Sequence, residues 1–354
     1  MIAWQEENFN NGGKFVHEFG MNNMLKPLKA QEEYQWLKEV SNTSLKRICR
    51  DLDKAYKLFF EKKHRHPRFK SKKKVKPTYP ICCENFLVQC NHFRVQKVGM
   101  IKFKSDYVFP EGKGHKFIDV RLHIEDDKYY ITFCLEHESQ VLKLTDKPMG
   151  IDLGVKELAI VAFGDDQLFY HNINKSKKIR DLKKKIKHVQ RGISRKYRAS
   201  VKRTGAWTKT NNIIKLEKEY AKLNGKIVGI RKNYMHQVTH QLVSMLPSKV
   251  VMEHLNVSGM LKNRHLSGAV RDQAFYEFIT MMNRKCQELG ILFIQAPRFF
   301  PSSKMCSCCA SIKKDLKLSD RTYVCPHCGL IIDRDYNAAL NLSRYTEQQD
   351  VLWL

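Results

Sequence analysis

Met149-Gly150-Ile151-Asp152-Leu153-Gly154-Val155, running on into Leu158-Ala159-Ile160-Val161-Ala162-Phe163, sets an acid inside an apolar, β-branched run. Such a run reads as a buried strand, and a carboxylate embedded in it is costly unless a cation compensates. Gly150 and Gly154 flank the acid, and glycine in a strand lets a ligand or another backbone come close. Two more acids stand in comparable settings. Glu253 ends the apolar run Val250-Val251-Met252, and Asp335 opens a short helix within Asp333-Arg334-Asp335-Tyr336-Asn337-Ala338-Ala339-Leu340-Asn341-Leu342. Each has an ordinary reading: Asp152 begins a turn, Glu253 lies on the surface beside His254, Asp335 caps a helix. Together they suit another need. Phosphodiester hydrolysis by two metal ions, roughly 4 Å apart, requires carboxylates converging from different elements. Magnesium favours such oxygen ligands and keeps waters for a substrate phosphate.

Composition narrows the partner. The 354 residues, enough for about two domains, carry 64 Lys+Arg against 36 Asp+Glu, a formal charge of +28. With 42% hydrophobic residues this is a folded protein and not a basic tail, and its implied partner is a polyanion, most commonly nucleic acid. No apolar run approaches the roughly 18 residues of a membrane span, and Met1 to Lys14 lacks a signal sequence. The expectation is a cytoplasmic protein with no membrane partner, in whose reducing surroundings eleven cysteines mean metal sooner than disulfides.

Residues 1 to about 60 read as helices, with Leu37, Val40, Leu45, Ile48, Leu52 and Tyr56 along one face and Leu58, Phe59 and Phe60 as an apolar end. Lys62 to Lys76 follows, nine of fifteen residues Lys or Arg and none acidic. Pro67 and Pro77 punctuate it, so it reads as a loop suited to phosphate contact and not as a merely solvated face. From Thr78 to about Glu138, alternating segments at 93–98, 99–104, 117–124 and 129–133 predict a small antiparallel barrel or sheet. Cys82, Cys83 and Cys90 there lack a second pair at metal spacing and read as half-buried apolar residues. Asn174 to Arg203 holds fourteen Lys/Arg in thirty residues and one acid, Asp181. Ile179, Leu182, Ile186, Val189 and Ile193 in this arm, and Ile213, Leu216, Tyr220, Leu223, Ile227, Ile230 and Tyr234 after it, step alternately by three and four. These stripes predict an antiparallel helical hairpin with an apolar seam and a cationic outer face.

Cys306-x2-Cys309-x15-Cys325-x2-Cys328 is a metal motif. Each pair fits a tight knuckle, and a strand near Ser319 to Val324 returns the second pair to complete a tetrahedron of thiolates around zinc. Four thiolates leave no open position, so that zinc is structural. Cys308 is spare, because using it would break the spacing, and His327 reads as an outer or exposed residue.

Gly-Ile-Asp-Leu-Gly at 150–154, Met-Glu-His-Leu-Asn-Val at 252–257, Lys-Asn-Arg-His-Leu-Ser at 262–267, Arg-Phe-Phe-Pro-Ser-Ser-Lys-x-Cys-Ser at 298–307, the paired cysteines and Asp-Arg-Asp-x-Asn-Ala-Ala-x-Asn-Leu at 333–342 occur in this order. From about residue 20 to 345 the chain resembles TnpB, also called OrfB, the insertion-sequence-encoded relatives of type V CRISPR effectors, long described as transposases. The resemblance implies an α/β multidomain protein: an RNase H-like RuvC nuclease domain with an inserted four-cysteine zinc ribbon, preceded by a helical recognition lobe and a β-barrel wedge domain. The expected division is 1–76 recognition lobe, 77–145 wedge, 146–303 RuvC-like domain with the basic hairpin 175–243, 304–329 zinc ribbon, and 330–354 third RuvC motif and C-terminal helix. Asp152, Glu253 and Asp335 match the catalytic acids that hold two magnesium ions, with Asp333 the second choice for the third. Cys306, Cys309, Cys325 and Cys328 match the zinc ligands. The implied partners are a guide RNA transcribed from the transposon end and a double-stranded DNA target, which the guide selects by pairing. In one departure the chain opens inside the first recognition helix, without the strand that completes the wedge barrel in family members. A non-cutting RNA-guided or plain DNA-binding protein would share the basic surface while tolerating loss of an acid. A DNA-joining transposase also uses acids on an RNase H fold, but the four-cysteine insertion and the basic hairpin favour the nuclease.

Overall fold

The computed structural model describes residues 1–71, 75, 77–81, 88–89, 91–107, 109, 117–125, 128–136, 142–317 and 320–346. Cys82, Cys83, Cys90, Lys72, Lys73, Lys74, Lys76, Ser319 and the end of the expected C-terminal helix lie outside them. Contacts divide the chain into Met1–Glu138 and Ser139–Leu354.

The first unit begins with α1 (Ile2–Asn10), α2 (Glu18–Ala30), a 3-10 turn (Glu32–Lys38) and α3 (Asn42–Phe60). Met21, Leu25, Leu37, Leu45 and Cys49 form their core. Here the expected stripe needs correction. Ile48 is 52% exposed and Cys49 takes the core position. The buried arc of α3 also takes in Asp53, whose carboxylate meets His17 at 3.0 Å and Lys57 at 2.7 Å, so that this side of the helix turns inward. Residues 65–71 form neither helix nor strand, as Pro67 requires. Six strands follow: β1 (Thr78–Ile81), β2 (Val88–Gln89), β3 (His92–Val95), β4 (Gly99–Lys102), β5 (Phe117–Glu125) and β6 (Lys128–Leu135). Among the described residues they pair as two antiparallel sheets, β1-β5-β6 and β2-β3-β4. Ile81, Phe93, Val95 and Val120 from both sheets share one apolar core.

The second unit centres on a five-stranded sheet. Its elements in chain order are β7 (Met149–Leu153), β8 (Glu157–Phe163), β9 (Asp166–His171), α4 (Lys177–Thr204), α5 (Asn211–Ser244), β10 (Lys249–Glu253), α6 (Val257–Met260), α7 (Ser267–Gln273), α8 (Phe275–Glu288), β11 (Leu292–Ala296), β12 (Thr322–Val324), β13 (Ile331–Asp333) and α9 (Arg334–Arg344). The strand order is β11-β10-β7-β8-β9. β10 runs parallel to β7 and β11, while β8 is antiparallel to both β7 and β9. β7 is central and covered on both faces, which is why its sequence is nearly continuous apolar.

Side chains of a strand alternate between faces, and this alternation decides where the acids point. Met149 and Ile151 of β7, with Val250 and Met252 of β10, join Val238 and Leu242 of α5 and Phe278 and Met282 of α8 in the largest core. Gly150 faces the other way, beneath α9. A Cβ there would lie 2.0 Å from the Ala339 carbonyl oxygen and 2.4 Å from the Ser343 nitrogen. The close approach expected at Gly150 is therefore made by a helix backbone and not by a ligand.

The basic hairpin is formed by α4 and α5, each N-capped by a hydroxyl, Ser176 and Thr210. Gly205 ends α4 at φ +68°, the left-handed conformation glycine adopts without cost. Ile179, Ile186 and Ile227, with Leu182, Tyr220, Leu223 and Ile230, close the seam where the heptad spacing places it. No helix of the described residues is long and apolar enough to cross a membrane.

Candidate functional site

Asp152 shares the α9 face of β7 with Gly150, two residues on, and Glu253 shares the same face of β10 with Val251, which packs against Leu342 of α9. Met252 pairs with Ile151 in parallel register, so Glu253 and Asp152 occupy the next step at the C-terminal ends of neighbouring strands. Asp335 enters from the first turn of α9. All three acids line one cleft of about 420 Å³, together with Gly154, Glu157, Leu266, Lys304, Lys317, Arg321 and Arg334. Asp152 lies within β7, paired with Ile160, and does not begin a turn. Glu253 is half-buried and accepts a hydrogen bond from the Ser302 hydroxyl.

The two aspartates at the start of α9 divide their work. Asp333 is the N-cap: its Oδ1 accepts from the backbone N–H groups of Asp335 and Tyr336, both at 3.0 Å. Asp335, relieved of capping, turns its carboxylate to the cleft, where Arg334 lies at 2.7 Å and Arg321 at 3.5 Å. The helix cap is thus Asp333, whose exposed side chain does not line the cleft.

Negative charge here is only partly offset. Burial, then the charges of Glu253 and Asp335, push the Asp152 carboxyl well above its usual range, against a smaller opposing pull from Arg334. Burial and the charge of Asp335 likewise raise Glu253, against the Ser302 hydrogen bond. Carboxyls that hold protons to higher pH when folded stabilise the fold below about pH 4, the unfolded value, and that contribution is lost as pH rises through the raised values. In chelator, the thermal stability of the wild type should therefore fall relative to Asp152→Asn as pH is raised from about 4 towards neutrality. Melting curves of the two proteins across that range check this; a pH-independent difference would contradict it.

The four cysteines form a second cluster. Their sulfurs all lie within 4.8 Å of one another, with Cys306 3.6 Å from Cys328 and Cys309 3.5 Å from Cys325. Those gaps exclude disulfides and approach the edge of a tetrahedron, about 3.8 Å for metal–sulfur bonds of about 2.3 Å. Each knuckle ends on a left-handed residue just after its second cysteine, Ala310 at φ +58° and Gly329 at +73°. The Cys328 N–H draws Cys325 down to about 5, and Ser311, through its hydroxyl and its backbone N–H, draws Cys309 to about 7. Against the lowering bond from the Leu330 N–H, burial and the neighbouring sulfurs leave Cys328 at about 12. Four sulfurs this close ionise together only around a cation, and the donor set fits zinc. Cys308 and His327 are exposed.

Among the described residues these cysteines are the one group of three or more potential ligands gathered that tightly. The three carboxylates share a cleft with wider spacing, Glu253 held by Ser302 and Asp335 by arginine. A hard-oxygen donor set with unrelieved repulsion fits divalent cations of the magnesium type.

Two family models match consecutive parts of the chain, "Probable transposase" over residues 132–264 and "Cas12f1-like, TNB domain" over 275–342. They span β6 to just past α6, taking in the acids of β7 and β10, and α8 to α9 with the cysteine cluster. Through both matches the chain is similar to the TnpB/OrfB proteins. Two curated relatives carry the name "Putative RNA-guided DNA endonuclease". One, from Streptomyces pristinaespiralis, is 28% identical over 89% of this chain and 74% of its own length. The other, InsQ of Escherichia coli (strain K12), is 28% identical over 96% and 83%. A cryo-EM structure of a Cas12f1–sgRNA–target DNA complex shares the fold at a TM-score of 0.55 and 15% identity, covering 85% of this chain and 70% of that one.

In this TnpB-like chain, buried asparagines join the two clusters. Asn337 accepts from the Ser307 N–H at 2.9 Å and donates to the Met305 carbonyl at 2.7 Å. Asn341 donates to the carbonyls of Ser302 and Met305, each at 2.7 Å. One helix thereby fixes both the Cys306 knuckle and the serine against Glu253. Sequence reasoning singled out neither Ser302 nor the asparagines. The spacing of Asn337 and Asn341, one helical turn apart among alanines and a leucine, was the available signal for buried amides.

Proposed function

We propose that this chain is an RNA-guided, magnesium-dependent DNA endonuclease of a transposable element, cutting phosphodiester bonds at the acid cleft. The observation that carries the reading is the convergence of Asp152, Glu253 and Asp335 from two strands and a helix on one cleft walled by lysine and arginine. Names of the curated relatives support it, and so does the strand order, which we read as RNase H-like with the acids in RuvC positions. Two divalent ions held there would supply activated water and offset charge on the departing 3′ oxygen.

The remaining work falls to the chain itself. Asp152 and Glu253 present oxygens from rigid strand ends, and Ser302 orients Glu253. Asp335 would turn from Arg334 and Arg321 to help hold an ion, leaving those guanidiniums beside the place a phosphate would occupy. Lys304 and Lys317 stand ready to do the same. Cys306, Cys309, Cys325 and Cys328 would hold a structural zinc. The basic face of α4, with Lys187, Arg191, Arg195 and Arg198 along one groove, would track phosphates of a guide–target heteroduplex, as would the lysines of 62–76. In this reading 1–76 is the recognition lobe, 77–145 the wedge, and 304–329 a zinc ribbon inserted before the third acid.

The test is to purify the chain, sequence the RNA that accompanies it, and supply DNA matching that RNA. A discrete transcript of the transposon end, and cutting of matched but not scrambled DNA, are expected. Random RNA fragments with no matched cutting would overturn the reading, and joining of two DNA ends would replace it with a transposase.

A further inference from the structure

Gln273 is 3% exposed and lies at the end of α7, where Ala274 breaks the helix in a left-handed conformation at φ +51°. A non-glycine residue persists in that region only where its surroundings over-determine it. The surroundings here are a polar node. The Gln273 side-chain amide donates to the carbonyl of Gly154 at 2.9 Å, with Val155 at 3.4 Å and Glu157 at 3.5 Å. The Gly154 and Val155 carbonyls belong to the turn between β7 and β8, which follows Leu153, and Glu157 opens β8; together they form one wall of the acid cleft. Asn172 holds the same turn from the other side, donating to the Val155 carbonyl at 2.8 Å.

The node is anchored in the basic hairpin. Asn174 donates to the Asp272 carbonyl at 2.9 Å and lies 3.4 Å from Gln273 Oε1, and Arg231 of α5 donates to its side-chain oxygen. The Asp272 carboxylate takes Arg231 at 2.7 Å and Lys183 of α4. A cation from each arm of the hairpin thus ends on Asp272, and the next residue along the chain holds the turn beside Asp152. A buried amide tied into a half-buried network this thoroughly paired fixes a single arrangement.

We infer that Gln273 is a positioning residue for the acid cleft: it holds the 154–157 turn, and through it the end of the strand carrying Asp152, in register with the base of the hairpin. The inference rests on the nuclease reading for its effect on cutting, but not for its effect on the turn.

The experiment compares Gln273→Met, which keeps the volume and removes the donor, with Gln273→Asn, which keeps the amide one methylene shorter. Both are made in the full chain with its copurified RNA, and two quantities are read: the single-turnover cutting rate and amide hydrogen exchange. Gln273→Met should raise exchange in residues 152–158 and leave β10 and α9 protected. Its cutting rate should drop roughly 10- to 100-fold, as expected for displaced reacting groups, with affinity for matched DNA unchanged. Gln273→Asn should fall between the two, which covers the case in which Gln273→Met does not fold. Unchanged exchange in 152–158 overturns the inference whatever the cutting rate, as does faster exchange with wild-type cutting. If the wild type does not cut matched DNA, the nuclease reading falls, and the exchange comparison still decides whether Gln273 holds the turn.

Discussion

Asp152→Ala is expected to reduce cutting of guide-matched DNA by roughly 10³-fold or more, while RNA binding stays close to that of the wild type. The asymmetry follows from where Asp152 sits. It lies at the end of the central strand, in a cleft shared with Glu253 and Asp335, and away from the basic groove of α4. In the proposed function, removing it would take away a metal ligand whose charge stabilisation is worth several kcal/mol, and each 1.36 kcal/mol is a factor of about ten in rate. It also removes one partner in a mutual repulsion, so the variant should gain stability in chelator as it loses activity. A cleavage assay beside a filter-binding assay separates the two effects. Wild-type cutting by Asp152→Ala would exclude this cleft as the reacting centre.

Cys306→Ser should have the second largest effect, through folding. Structural zinc sites of this kind contribute on the order of 10 kcal/mol of binding free energy in isolated fingers, and that energy is folding energy. Here Tyr323 packs fully buried among Cys306 and Cys325, so a zinc held there and the small core of the β12–β13 segment would stand together. The damage should spread. Loss of the knuckle releases Ser307 and Met305 from Asn337, and with them the loop that brings Ser302 to Glu253. Zinc content by elemental analysis should fall from one per chain towards none, with a lower melting temperature and slower cutting. Unchanged zinc content would refute the ligand assignment.

What was legible in advance was what local chemistry determines. The spacing of the four cysteines states a chelate geometry directly, because each knuckle closes within four residues. The heptad stripes of α4 and α5 state their seam for the same reason. The acids were visible as anomalies, charges in apolar runs. What lay beyond reach depended on contacts distant along the chain. Gly150 offered room for a ligand or another backbone, and only the fold shows that the backbone of Ala339 and Ser343 takes it. Asp333 and Asp335 both qualify as helix caps by composition, and only the backbone of α9 shows which one caps. Ile48 fits a helical stripe as well as Cys49 does, until the buried pairing of Asp53 with His17 and Lys57 turns the helix. Nothing in Arg271-Asp272-Gln273-Ala274 marks it as a node, since its partners, Lys183, Arg231, Asn174 and Gly154, come from four other segments.

The proposed function requires that the three carboxylates brought together by β7, β10 and α9 hold divalent cations. Anomalous scattering from a manganese-soaked crystal tests it most directly. Manganese peaks beside Asp152, Glu253 and Asp335, with Arg334 displaced from Asp335, are expected. Manganese absent from this cleft at saturating concentration, with Asp335 still paired to arginine, would contradict it.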